Sequence, residues 1–115
     1  MEFVEFKNKL GSIRISDELI ADIARDVALS TDGVNKMDSS FVHRIPSVIN
    51  FEDADGVRVS IRNNEVVIGL YISVKHGKRI PEVALHLQES VKEQILKITD
   101  ISVEAVHVNV EDIIF

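Results

Sequence analysis

Four histidines, His43, His76, His86 and His107, are the side chains best suited to bind a metal or move a proton near neutral pH. Zinc ligands come as tightly spaced pairs, and none of these histidines has a partner at such spacing. The chain has no cysteine, which removes thiolate ligands, thiol nucleophiles and disulfides together. His76 and His107 come near each other only if their strands are neighbours, so the ordinary reading is histidines on surfaces and sheet faces. No Gly-x-Ser-x-Gly elbow announces a serine nucleophile, and no glycine-rich loop offers to cradle phosphate. Carboxylates gather at Glu52, Asp53 and Asp55 and again at Glu111 and Asp112. Both groups fall in expected turns or ends, where carboxylates are solvated. A calcium loop would need ligands continuing past Gly56, and the side chains of Val57, Arg58 and Val59 supply none. No catalytic, cofactor-binding or metal-binding residues are therefore expected.

One run goes against local propensity. Lys75, His76, Lys78 and Arg79 directly precede Pro81 and an expected helix. Cations at a helix start oppose its dipole by a few tenths of a kcal/mol each. Together with the free amides of the first turn they form a concentrated positive spot, which is the composition of an anion or acidic-partner site. The plain alternative is a solvated loop, the usual fate of a charge run.

These residues have to be positioned by regular elements. Residues 11–15 alternate polar and apolar, as a short strand does. Ser16 is a good N-cap, and Asp17 and Glu18 suit the first turn of a helix. Ile20, Ile23, Ala24, Val27 and Ala28 fall on one helical face, and Thr31-Asp32-Gly33 is turn chemistry. Val34 to Met37 reads as a short strand. Residues 38–56 are broken by Pro46 yet rich in Phe41, Val42, Ile45, Val48, Ile49 and Phe51, so a packed, irregular excursion is expected. A hairpin follows: Val57, Val59 and Ile61 alternate with polar residues, and Asn63-Asn64 suits a type I′ turn. In the returning strand Val66, Ile68, Leu70, Ile72 and Val74 share one face, which should meet the helices. A second helix starts at Pro81, with Ala84, Leu87, Val91, Ile95 and Ile98 as its expected buried stripe. Val106, Val108 and Val110 alternate in a last strand.

The order is β-α-(β)-β-β-α-β. It implies an α+β domain of two layers, with a mixed sheet of about four strands and both amphipathic helices on one face. Residues 1–10 read as a leader or edge segment, and 11–115 as one domain. On the sheet face away from the helices, Val67, Tyr71, Ala105 and His107 are mildly apolar for exposed positions. They form a second candidate surface, for a subunit or a partner. The alternative is that the 38–55 excursion folds over them.

Composition narrows the partners. The chain has 115 residues, 45% of them hydrophobic, with net charge −6 and pI about 5.1. That balance argues against nucleic acid, whose binders carry a basic footprint. It also predicts repulsion from anionic membranes. No apolar run is long enough to cross a bilayer, and the acidic start is unlike a signal peptide. These features fit a cytoplasmic protein without direct membrane insertion.

Taken in order, several of these stretches resemble the alkaline-shock (general-stress) protein family of mainly Gram-positive bacteria. They are Gly11 to Ala28, Gly33-Val34, Gly56-Val57 through Gly77, and Ile80-Pro81-Glu82-Val83-Ala84 through Val110. Two departures stand out: Thr99-Asp100-Ile101 where the family commonly has Thr-Gly-Leu, and His76-Gly77 in place of Tyr-Gly. The resemblance implies a non-enzymatic protein of stress response and cell-envelope homeostasis, acting by self-association and through protein partners. In some members a separate membrane-bound anchor protein holds the chain at the membrane. The family has no catalytic motif, so no catalytic residue carries over. A small-molecule-binding regulator tied to lipid metabolism is the alternative, with a pocket expected between the 38–55 excursion and the sheet. An RNA-binding module is the weaker third reading, since neither a Gly-x-x-Gly loop nor an aromatic pair on a strand is present.

Overall fold

A computed structural model of the chain describes residues 1–38 and 56–115. The elements are β1 (Phe3–Asn8), β2 (Gly11–Ser16), α1 (Asp17–Ser30), β3 (Val34–Met37), β4 (Val57–Arg62), β5 (Glu65–Lys75), α2 (Ile80–Thr99) and β6 (Ala105–Ile114). The excursion expected over 38–56 lies, apart from its end residues, outside the described residues.

Strand β5 organises the sheet. It pairs antiparallel with β4 over its first half and with β3 over its second, both along one edge. Along the other edge it pairs parallel with β6. The sheet is therefore mixed and four-stranded, as the alternation of residues predicted. Val66, Ile68, Leu70, Ile72 and Val74 have no exposed surface and face the helical layer. Burying each such side chain is worth about 1.5–3 kcal/mol, so this one face supplies much of the core. Asn63 (φ 51°) and Asn64 (φ 63°) both take the positive φ that a tight hairpin between β4 and β5 requires.

Helix α1 begins where its capping residue says it should. The Ser16 hydroxyl accepts from the Leu19 amide at 3.1 Å, and Asp17 and Glu18 occupy the first turn. Ile20, Ala24 and Ala28 are buried, with Ile23 and Val27 packed against the same core. The α1 C-terminus is closed by hydroxyls. Thr31 Oγ1 donates to the Val27 carbonyl at 2.8 Å, and Ser30 Oγ to that of Asp26 at 3.0 Å.

Two expectations are corrected. The opening strand at 11–15 does not join the main sheet. It pairs antiparallel with Phe3–Asn8, so the leader is one strand of a separate hairpin. That hairpin is seated by Val4, which is 2% exposed, and by Asn64, whose side chain accepts from the Glu5 amide and donates to the Glu5 carbonyl. The α2 stripe is Val83, Leu87, Val91 and Ile95, with Ala84 half-buried and Ile98 60% exposed. The stripe keeps to a four-residue step, which leaves Ile98 off its line, and the next buried side chains after Ile95 are Ile101 and Val103 beyond the helix.

Tight spots explain three small or turn residues. Gly33 has φ +94°, and a Cβ there would lie 2.6 Å from Val83 Cγ2, so α1 and α2 close on each other only over a glycine. Gly56 has φ +81°, and a Cβ would meet the Tyr71 carbonyl at 2.9 Å and the Asp38 amide nitrogen at 3.0 Å. Asp100 ends α2 at φ 64°, with its amide bonded to the Leu96 carbonyl at 2.9 Å, a conformation glycine adopts without penalty.

Gly33→Ala is expected to cost about 1–3 kcal/mol through overpacking and φ strain. In denaturant titrations the loss should be less than additive with that of Val83→Ala, because the shorter side chain relieves the clash. Asp100→Gly is expected to stabilise by about 1 kcal/mol. A stability loss in the same titration would contradict the reading of that turn.

Candidate functional site

The cationic loop comes together in space as a mixed-charge cluster. Lys78 Nζ donates to Asp32 Oδ2 at 3.1 Å, and Arg79 pairs with Glu82 at 3.4 Å. The Arg79 N-cap makes no side-chain cap bond. His76 lies against the Phe115 ring, centroids 4.5 Å apart, and Lys75 stays exposed. The chain tolerates cations before α2 because the loop also lies at the C-terminal end of α1, where positive charge is favoured. The last turn of α1 has no basic residue of its own, and Lys78 reaches Asp32 just beyond it. The Lys78 hydrogen bond, then its charge, holds the Asp32 carboxyl below its ordinary value of 3.8.

Asp32 and Glu82 belong to no chemical motif in the sequence, and His86 reads there as a surface histidine, yet the fold puts all three beside Lys78 and Arg79. Together they line a hollow of about 240 Å³. Asp32 and His86 also border an adjoining hollow of about 500 Å³ between α1 and α2, walled by Asp26, Thr31, Ser90 and Gln94. The signal was present as an acidic turn and an off-stripe histidine, but only the closing of α1 on α2 over Gly33 joins them.

The second candidate surface is ordered by register. Val67 stands between Ser60 and Ala105, Gly69 between Arg58 and His107, and Tyr71 beside Asn109. Val67, Tyr71 and Ala105 are half-buried and His107 is exposed. The Tyr71 ring leans back over Gly69, its Cε2 3.8 Å from where a Cβ would be, and so covers the gap the glycine leaves. Asn109 donates to the Leu70 carbonyl at 3.2 Å, and Ser73 is fully buried. The Tyr71 backbone also bridges the two chain ends at 38 and 56, its carbonyl accepting from the Asp38 amide and its amide donating to the Gly56 carbonyl. Whether residues 39–55 cover this face lies outside the described residues, as does His43.

At the lower end of the same face Glu65 stands beside Glu104; the hydrogen bond its protonated form can make to Glu104, then the repulsion between the two charges, raise it above its ordinary value of 4.5. Among the described residues no group of three or more histidine or acidic side chains is arranged to hold a metal ion. His76 and His107 are kept apart: His76 sits at the loop against Phe115, and His107 stands on the sheet beside Gly69.

At the C-terminal end, β6 is paired along one edge only among the described residues. Its last residues expose Ile113 (37%), Ile114 (37%) and Phe115 (93%). Ile80, Val110, Ile113 and Phe115 border a hollow of about 600 Å³.

Comparison with known proteins adds the following. The model of the alkaline-shock protein family, described as having a cell envelope-related function, matches residues 5–115. The chain is 31% identical over 110 residues to YqhY of Bacillus subtilis, spanning 92% of this chain and 79% of that protein. It is 29% identical over 113 residues to YloU of the same organism, spanning 96% and 94%. A Streptococcus pyogenes protein named stress response regulator gls24 homolog is 27% identical over 105 residues, which is 90% of this chain and 59% of that one. Among solved structures, MamM-CTD H264A superposes with a TM-score of 0.53 at 14% identity, covering 84% of this chain and 98% of that one. At that identity the likeness speaks for the fold alone.

The two shifted carboxyls have opposite pH signatures. Asp32, depressed by Lys78, contributes stability above its ordinary value that is lost as pH falls through its lower folded value. Asp32→Asn should therefore lower Tm at pH 7, with the difference shrinking in acid. Glu65, raised by Glu104, contributes stability below its ordinary value that is lost as pH rises through its higher folded value. Glu65→Gln should raise Tm at pH 7 and lose that gain below about pH 4. Thermal melts across pH check both, and parallel profiles for the two variants would refute the assignments.

Proposed function

The chain belongs to the alkaline-shock protein family, whose function is cell envelope-related, and from that membership we propose a non-enzymatic protein that works through self-association and protein partners. The observation that carries this reading is the outer edge of β6. Ten residues, Ala105–Ile114, pair with β5 on one side, and their other edge leads to the exposed Ile113, Ile114 and Phe115. An unpaired strand edge is a template for another strand. The Gln88 side-chain amide already donates to the Val106 carbonyl at 2.9 Å, and among the described residues the remainder of the edge, nearer the apolar end, is open to a partner strand. The name of the streptococcal relative supports a place in stress response. In this reading the chain acts in the cytoplasm and reaches the membrane through an anchoring partner.

A small-molecule regulator is the second reading, favoured by the polar hollow between α1 and α2. Its volume of about 500 Å³ suits a metabolite-sized ligand. The lipid-metabolism pocket expected under residues 38–55 lies outside the described residues. A thermal-shift screen with acyl and phosphate metabolites separates this reading from the first.

Sedimentation over a wide concentration range is expected to show mass rising with concentration. Ile114→Lys combined with Phe115→Lys should shift the population back to monomer with an unchanged circular dichroism spectrum. A single monomeric species throughout, with no protein captured from native extract, would sink the proposal.

A further inference from the structure

The β1–β2 hairpin is built in two halves. Its inner half is seated on the domain: Val4 is 2% exposed, Ile15 packs against the core, and Asn64 holds the Glu5 backbone. From Phe6 to Arg14 every residue is exposed. In an antiparallel ladder alternate residues share a face. The face that buries Val4 and Ile15 therefore runs outward through the opposed pair Phe6 and Ile13, which have no core beneath them. Phe6 is 37% exposed, Ile13 53%, and Leu10 in the turn 98%.

The charge of this projection is opposite to that of the rest of the chain. Between Phe6 and Ser16 there is no Asp or Glu, but there are Lys7, Lys9 and Arg14. Arg14 stacks on the Phe3 ring at 4.0 Å on the other face of the hairpin and stands across from Glu5. Among the described residues neither Lys7 nor Lys9 is held in an ion pair; Lys9 shares the turn with Leu10, and Lys7 stands two residues before it. With a net charge of −6 for the whole chain, the remainder is more negative still. Strand rise puts Lys9 roughly 13 Å along the chain from Glu5, the last acid before the tip. That exceeds the Debye length of about 10 Å at moderate salt, so the tip meets its surroundings as a cation.

From this geometry we propose that the hairpin tip is a contact site for an anionic lipid bilayer surface. Leu10 enters the boundary between headgroups and acyl chains, Phe6 and Ile13 follow on the apolar face, and Lys7 and Lys9 bind lipid phosphates. Interfacial binding calls for this combination of apolar wedge and adjacent cations. The acidic side chains of the other described residues, which such a surface repels, stay on the body side of the arm. The contact lies on the surface and is separate from a membrane span: no helix among the described residues is long and apolar enough to cross.

The chain contains no Trp, so Leu10→Trp gives a single reporter at the tip. Its emission is expected to shift to the blue with vesicles of phosphatidylglycerol and phosphatidylcholine in equal parts, and to return at high salt. Vesicles of phosphatidylcholine alone should leave it unchanged. Lys7→Glu with Lys9→Glu in the same background should weaken the response by roughly tenfold or more. Co-sedimentation of the unsubstituted protein with the same vesicles provides a readout independent of the reporter. No response to either vesicle, or an equal response to both, would overturn the proposal. A blue shift that grows with protein concentration in the absence of lipid would overturn it in favour of a second copy as the occupant of the hairpin.

Discussion

Strand β5 has a neighbour on each edge and a helical layer on one face, and everything else is located by reference to it. Its backbone groups are satisfied by β6 on one side and by β4 and β3 in succession on the other. A strand committed on both edges cannot slip by one residue without turning five core side chains outward, so its register is fixed by burial. The helices then have one course open to them. Leu87, Val91 and Ile95 must cover Val66 to Val74 from one side, and α1 must lie beside α2, with Gly33 permitting the approach to Val83. The features with room to act lie outside the buried face of β5: the hairpin arm, the loop before α2, and the outer edge and end of β6, which are unpaired among the described residues.

Much of this architecture was legible because its signals are local. Alternation in β5, the Ser16 cap and the Asn63-Asn64 turn each depend on residues close in sequence, and each appears where expected; of the stripe expected on α2, Leu87, Val91 and Ile95 are fully buried while Val83 takes the place of Ala84. The hairpin at the N-terminus was hidden for an equally physical reason. Its turn, Lys9-Leu10, has none of the residues that favour a two-residue connection, and a leucine 98% exposed at a turn is opposite to what hydropathy suggests. The error over Ile98 came from extending a helical stripe past the point where the following turn refills the core with Ile101 and Val103.

The surfaces were less legible than the core. Lys75, His76, Lys78 and Arg79 were visible as a run, but their counter-charges were not. Asp32 is 46 residues away from Lys78 and meets it only because α1 ends where α2 begins. Propensity arguments read a helix from its own residues and miss the dipole of its neighbour. The register of Val67, Tyr71, Ala105 and His107 across two parallel strands likewise depends on a crossover that no local pattern encodes.

The meeting of Asp38 and Gly56 at Tyr71 has a consequence for how β3 and β4 are held. Strands β3 and β4 run in the same direction along β5, with Met37 opposite Ile72 and Val57 opposite Leu70, so they are two halves of one interrupted lane. The two flanking residues, Asp38 and Gly56, meet there at the width of a single residue. One residue of β5 thus fixes both the point where the first half stops and the point where the second begins. Each half of the lane is held by β5 itself, so the pairings of β3 and of β4 are made without either strand pairing with the other.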